Sequence, residues 1–276
     1  MDSMVLEAAA PLVRQRTPDD DETGRPVADA APGGASAGDG SPAEQDADFG
    51  DAAAALRLLA LLHAQAPTPA FLEDLRNNPI GGRGLALDRD DAIQASALID
   101  EVVSDLPPRI TRRSISPLAS DYTTIHVTGE YCACPTEAPW LDVQARPAAA
   151  ASLRGWRAGF ETALRRPPAD RLPEDHVAAE LLLLAHLLDL GRKADGVQFL
   201  DRHVLRWIPG FCSRIATRCR EPFYAGAAIL TTAHLDHLRD RLGSACGMPR
   251  PNGDGADVRR RRRTEGQFPL TCDCEG

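Results

Sequence analysis

Aromatic residues are scarce in this 276-residue chain, at 5% of the sequence, although hydrophobic residues reach 43%. A core of that make-up has to be built from alanine and leucine, which favours helices over sheets. Long apolar runs are missing too. The longest, Leu181–Leu190, carries His186 and Asp189 and is about half the ~20 residues that a bilayer requires. Basic charge is in deficit: net charge is −9 and pI about 5.3, which argues against a nucleic-acid binder. The N-terminus shows no basic n-region and no uninterrupted apolar h-region, since Glu7 interrupts the one candidate, so nothing marks the chain for export. The seven cysteines are an odd number without disulfide-scaffold spacing, and a chain of this size does not need such staples. The expectation is a reduced, cytoplasmic protein. There is no Gly-x-Ser-x-Gly, no phosphate loop, no glycine fingerprint for a dinucleotide and no alternating strand pattern.

What is present is organised around Leu172–Gly191. Pro173 followed by Glu174 and Asp175 predicts a helix start, with carboxylates opposing the positive end of the helix dipole. Val177, Leu181, Leu184 and Leu188 form one stripe, and Leu182, Leu183 and Leu187 widen it until little of the circumference is polar. Such a helix is enclosed by others. Gly191 is placed to close it in a left-handed cap, followed by Arg192 and Lys193. His176 and Glu180, four apart, share a face and form an acid–imidazole–acid patch with Asp175 at the helix mouth. On residue chemistry alone these groups cap and solvate the helix start.

Residues 1–48 hold a stretch rich in Asp, Ala, Gly, Pro and Ser and are expected to be disordered. From Phe49 to residue 243 the pattern is all-α. A first helix carries Leu56, Leu59, Leu62 and His63 on one face. Thr68-Pro69 opens a second, through Leu75. Asp88 caps a third, bearing Ile93, Ala97, Leu98, Val102 and Leu106 and stopped by Pro107-Pro108. Ser116-Pro117 opens a fourth through Tyr122 and Ile125, and Ala148–Leu164 is a fifth, ended by Pro167-Pro168. After the central helix come an amphipathic helix with Val197, Leu200, Val204 and Trp207, a short one over Pro209–Cys219, and a closing helix over Pro222–Leu242. Residues 244–276 are expected to be a disordered tail.

Pro173-Glu-Asp-His-Val-Ala-Ala-Glu-Leu181 resembles the signature of the TorD/DmsD/NarJ-like chaperones, approximately Pro-x-Asp-His-x-x-x-Glu-Leu. Further stretches resemble the same family in the same order: Asp121-Tyr-Thr-Thr-Ile125, the loop Cys134-Pro-Thr-Glu137 with Trp140-Leu-Asp142, and Phe199–Pro209 followed by Pro222-Phe-Tyr224. The resemblance runs from about Phe49 to Leu242. Thr136 stands where the family usually has an aromatic, and Leu182-Leu-Leu replaces its Glu-Phe-Met. The resemblance implies a non-enzymatic helical clamp without a cofactor of its own. Its partner would be the twin-arginine leader or the apo form of a molybdenum-cofactor oxidoreductase catalytic subunit, held until that subunit is loaded. It also moves Asp175 and His176 from caps to a client site. There Asp175, His176, Glu180 and Glu174 supply a polar end, and Tyr122, Ile125, Pro135 and Trp140 an apolar side. Client, bound nucleotide, and monomer or dimer state are left open.

Rival readings attach to other residues. Cys132-Ala-Cys134 and Cys272-Asp-Cys274 would supply four thiolates to zinc, making a metal-binding regulator, but lack the Cys-x2-Cys knuckle, so no metal is expected. Cys212 and Cys219 read as core, His234 and His237 as a solvated face, and Arg259–Arg263 as a solvated basic run. Arg112 and Arg113 read as surface charge. A helical scaffold for another partner is the remaining alternative.

Overall fold

Nearly every residue of helix α6 (Val177–Asp189) is buried, Leu181, Leu184, Leu187 and Leu188 among them. It is a core element of the kind its sequence predicts. The computed structural model describes residues 42–264, except 84, 86–88, 129–131 and 161–171, and all of these belong to one compact unit. Asp88, Tyr131, Leu164, Pro167-Pro168, residues 1–41 and the Cys272–Cys274 pair therefore lie outside the described residues. Among those described the fold is all-α, without a strand; one isolated β-bridge joins Thr136 to His176.

Helix α1 (Pro42–Ala64) packs along α6, burying Leu56, Leu59, Leu62 and His63 as its pattern predicts. Helix α2 (Pro69–Asn77) is opened by Thr68, whose hydroxyl accepts the Phe71 N–H at 3.2 Å. The second axis of the body is α9 (Pro222–Cys246), which packs against α3 (Asp90–Ser104). The stripe that α3 buries is not the predicted one. Ala92, Ala95, Ser96, Ile99 and Val103 face inward, whereas Ile93 is 53% exposed. Close approach decides it: a Cβ on Gly226 of α9 would stand 2.7 Å from the Ala95 carbonyl oxygen and 2.7 Å from Ile99 Cγ1. Small residues let the two backbones meet, and Ile93 would hold them apart.

Helices α4 (Ser116–His126) and α5 (Arg146–Phe160) flank the loop that leads to the site. Helix α6 begins four residues later than predicted, at Val177 rather than Pro173, because His176 is extended and paired with Thr136. It ends as expected. Gly191 takes φ +67°, its N–H bonds Leu188 O at 2.9 Å, and Arg192 N–H bonds Leu187 O at 2.9 Å, which is a Schellman motif. Helix α7 (Lys193–Phe199) continues through a π turn, Leu200–Val204, into α8 (Leu205–Arg218). Pro209 lies within α8 rather than opening a separate helix. Cys212 and Cys219 are both buried.

The C-terminal side departs most from the sequence reading. Helix α9 reaches Cys246 and is capped by Gly247 at φ +64°; the chain then folds back along it into α10 (Ala256–Thr264), the last of the described elements. Asp236 and Asp240 of α9 hold Arg250, Arg259 and Arg260. His234 is buried in α9 and not solvated. No helix among the described residues is long and apolar enough to cross a membrane.

Candidate functional site

The loop from Cys132 to Asp142 crosses the mouth of α6 and is stapled there by main-chain bonds. Ala133 N–H donates to Ile125 O at 2.7 Å, Val177 N–H to Pro135 O at 2.8 Å and Glu137 N–H to Asp175 O at 2.9 Å. The last two hold residues 175–177 extended and explain why the helix starts late. Side chains complete the staple. Ala138 N–H donates to Asp175 Oδ2 at 3.2 Å, and the Trp140 indole N–H donates to Cys134 O at 2.9 Å. Trp140 lies over Gly210, with Arg214 stacked 4.4 Å from its ring and Trp207 and Phe211 at 6.4 and 6.2 Å.

His176 is the N-cap of α6. Its Nδ1 accepts the Ala178 N–H at 3.1 Å, so the unprotonated nitrogen is used and the ring is neutral there. Burial, then His126, push its pKa down to about 4, and Asp175 opposes them only in part. His126 donates from Nδ1 to Ala133 O at 2.8 Å, stacks on Phe211 and is also lowered, chiefly by burial. His63, bonded to Thr231 at 2.8 Å, is lowered to about 3 by burial and by these two imidazoles. Three neutral histidines thus sit close together behind the loop. Tyr122, 4.5 Å from His126 between ring centres, closes that side, its phenol raised to about 12 by burial.

A second polar seam runs deeper. Glu180 is fully buried and accepts the Trp207 indole N–H at 3.1 Å. Burial, then Glu137, hold its carboxyl well above the ordinary range. Glu137, 1% exposed, places Oε2 3.3 Å from His203 Nδ1, and His203 Nε2 lies 3.0 Å from Ser152 Oγ. Ser, His and acid in that order resemble a hydrolytic triad. However, Ser152 lies inside α5, where the neighbouring N–H groups belong to the helix ladder and cannot cradle an oxyanion. The seam pins the loop, through Glu137, to α5 and the π turn.

Of the residues singled out from the sequence, Glu174 is exposed and Asp175, Pro135, Trp140 and Tyr122 are partly so, whereas His176, Glu180 and Ile125 are interior. The structure brings Asp175, His176, Pro135 and Trp140 together; Glu180 lies behind them. Glu137 and His203 were not singled out as site residues, although both lie in the stretches that carry the resemblance. A cavity of about 450 Å³ opens beside Trp140, lined also by Leu141, Asp142, Asp201, Leu205 and Pro251–Asp254. No cluster suited to a metal ion occurs among the described residues.

The polar groups of this helical body brace a surface loop. Residues 88–213 match the family model of the nitrate reductase delta subunit, which is of the NarJ/TorD type, and the match supports a molybdoenzyme maturation chaperone family. Members of that family are chaperones and not catalysts. No curated protein matches the chain.

Proposed function

We propose that this redox-enzyme maturation chaperone acts in the cytoplasm. It binds the twin-arginine leader, or the apo form, of a molybdenum-cofactor oxidoreductase catalytic subunit and holds it while cofactor is inserted before export. The observation that supports this reading most is the stapled loop, which ties Pro135 to Val177 and Ala138 to the Asp175 carboxylate at the α6 mouth, with the Trp140 indole fixed to Cys134 O beside them. A leader offers two guanidiniums beside an apolar segment, and an acidic edge next to a partly exposed aromatic complements both. Tyr122 extends the apolar side. His176, Glu180 and Ile125 act from the interior by fixing the loop and the helix start.

Titration of a fluorescent twin-arginine peptide, with thermal melts alongside, tests this. Losing one charge-assisted contact costs about 1.5–3 kcal/mol, roughly ten- to a hundredfold in affinity. Asp175→Asn, which keeps an acceptor for Ala138 N–H, and Glu174→Gln should each weaken binding at an unchanged melting temperature. Equal affinity for wild type and both variants removes these carboxylates from the site. A peptide with both arginines replaced by glutamine that binds as well as the original would make the chain a scaffold for another partner.

A further inference from the structure

The segment after α9 is held to the body by charge and by a little apolar packing. Of its apolar side chains, Met248 packs on the core and Ala256 is buried, while Val258 is 55% exposed. Its grip comes from Arg250, whose Nε lies 2.6 Å from Asp240, Nη1 2.6 Å from Asp254 and Nη2 2.6 Å from Asp236 O. Arg259 makes a two-pronged contact with the buried Asp236 at 3.2 and 2.7 Å, and Arg260 reaches Asp240 at 2.7 Å. Behind them Arg239 clamps Asp201 and donates to Met248 O and Pro249 O at 3.1 and 3.0 Å. Gly243 makes that passage possible, because a Cβ there would stand 2.7 Å from Met248 O.

This segment carries turns before it and midway along it. Gly247, Gly253 and Gly255 all take positive φ, at 64°, 77° and 74°. Between them Pro251–Asp254 forms one wall of the cavity beside Trp140, facing Asp142 and Leu205. A wall fastened by ion pairs is released when their charges are removed; the Arg260–Asp240 pair is half-exposed and is screened by salt, whereas Asp236 with Arg250 and Arg259 forms the drier part of the fastening.

We propose that residues 249–260 are a lid over the Trp140 cavity, latched to α9 by Arg250, Arg259 and Arg260, which swings away to admit a client segment. The admission step rests on the client-site reading above; the latch does not. A lid that closes on the empty cavity lowers apparent affinity by the fraction of time it is shut.

Hydrogen–deuterium exchange on the full chain separates the two. In an Arg250→Gln/Arg260→Gln variant, segments 249–256 and 138–145 should both exchange about tenfold faster or more, with α6 unchanged. Wild type in 0.5 M salt should move the same way on the screening argument, by roughly a severalfold change. A twin-arginine peptide should bind the variant correspondingly tighter. Faster exchange at 249–256 with none at 138–145 would overturn the lid, as would no change in either segment. Equal peptide affinity for both proteins would overturn the gating. A peptide that binds neither protein, with both segments still released, counts against the client reading while leaving the latch in place. Where α6 also loses protection, the Asp236→Asn/Arg259→Gln variant, which leaves no buried charge unpaired at that contact, replaces the first and is read in the same way.

Discussion

Individual titrating groups give this protein its expected response to acid. His63, His126, His176 and His234 are all held below the ordinary imidazole value of 6.5, chiefly by burial, with His63 near 3 and His176 and His234 near 4. A base kept neutral in the fold but protonated in the unfolded chain contributes stability that is complete above about 6.5 and is lost as pH falls towards the folded value. Glu180 has the opposite sign. The fold keeps its proton, so its contribution is present below the ordinary 4.5 and is lost as pH rises through the raised value. Four imidazoles outweigh one carboxyl, and the urea midpoint should fall between pH 6.5 and 4. His176→Asn, which can still cap Ala178 N–H, should make that fall shallower; an unchanged slope would mean that His176 titrates normally in the fold. A separate test addresses the buried acceptor. Glu180→Gln keeps a partner for the Trp207 indole, but Glu180→Leu orphans it and should lower stability by about 1–3 kcal/mol in chemical denaturation.

At the level of helices, close packing is the sharper test. Gly226→Ala drives a methyl into the Ala95 carbonyl and Ile99, and overpacking of this kind costs about 1–3 kcal/mol. Gly155→Ala in α5 meets nothing within 4 Å and should instead add roughly 0.5–1 kcal/mol, since it only removes backbone freedom. Both are read from denaturant midpoints. The contrast also shows what could be read from the sequence. The leucine stripe of α6, the Thr68 cap and the Gly191 close are local signals, and the structure has them where they were expected. The inward face of α3 was not legible, because it is chosen by a glycine more than a hundred residues away and not by the bulk of its own side chains. The start of α6 was misplaced for the same kind of reason. Pro173 and two acids are a good opening signal, but Pro135 and Glu137 compete for the backbone at residues 175–177. The place of Glu174 and Asp175 before α6 was legible, whereas the seam beneath them, from Glu137 to His203 and Ser152, required knowing which loop crosses which helix.

Over the whole molecule, one unit encloses the described residues, and its thiols report on whether it opens as one. Cys212 is buried in α8 with its thiol pushed up to about 12, and Cys219 is buried at the end of the same helix. Cys132, Cys134 and Cys246 are partly exposed. Reaction needs the thiolate and access together, so a buried thiol whose pKa is raised is protected twice. Maleimide labelling with peptide mapping should modify Cys132, Cys134 and Cys246 in the native protein within minutes, and Cys212 and Cys219 only on the timescale of unfolding. Because α8 contacts α9, the loop through Trp140 and the π turn, freeing Cys212 disrupts the packing under the loop at the α6 mouth as well as the core. Its labelling rate should then equal the global opening rate and rise steeply with denaturant. Labelling of Cys212 at a denaturant-independent rate would show instead that α8 detaches on its own. In that case the loop over the α6 mouth would rest on a mobile base, and its hydrogen bonds to Asp175 and Val177 would be the only fixed part of the site.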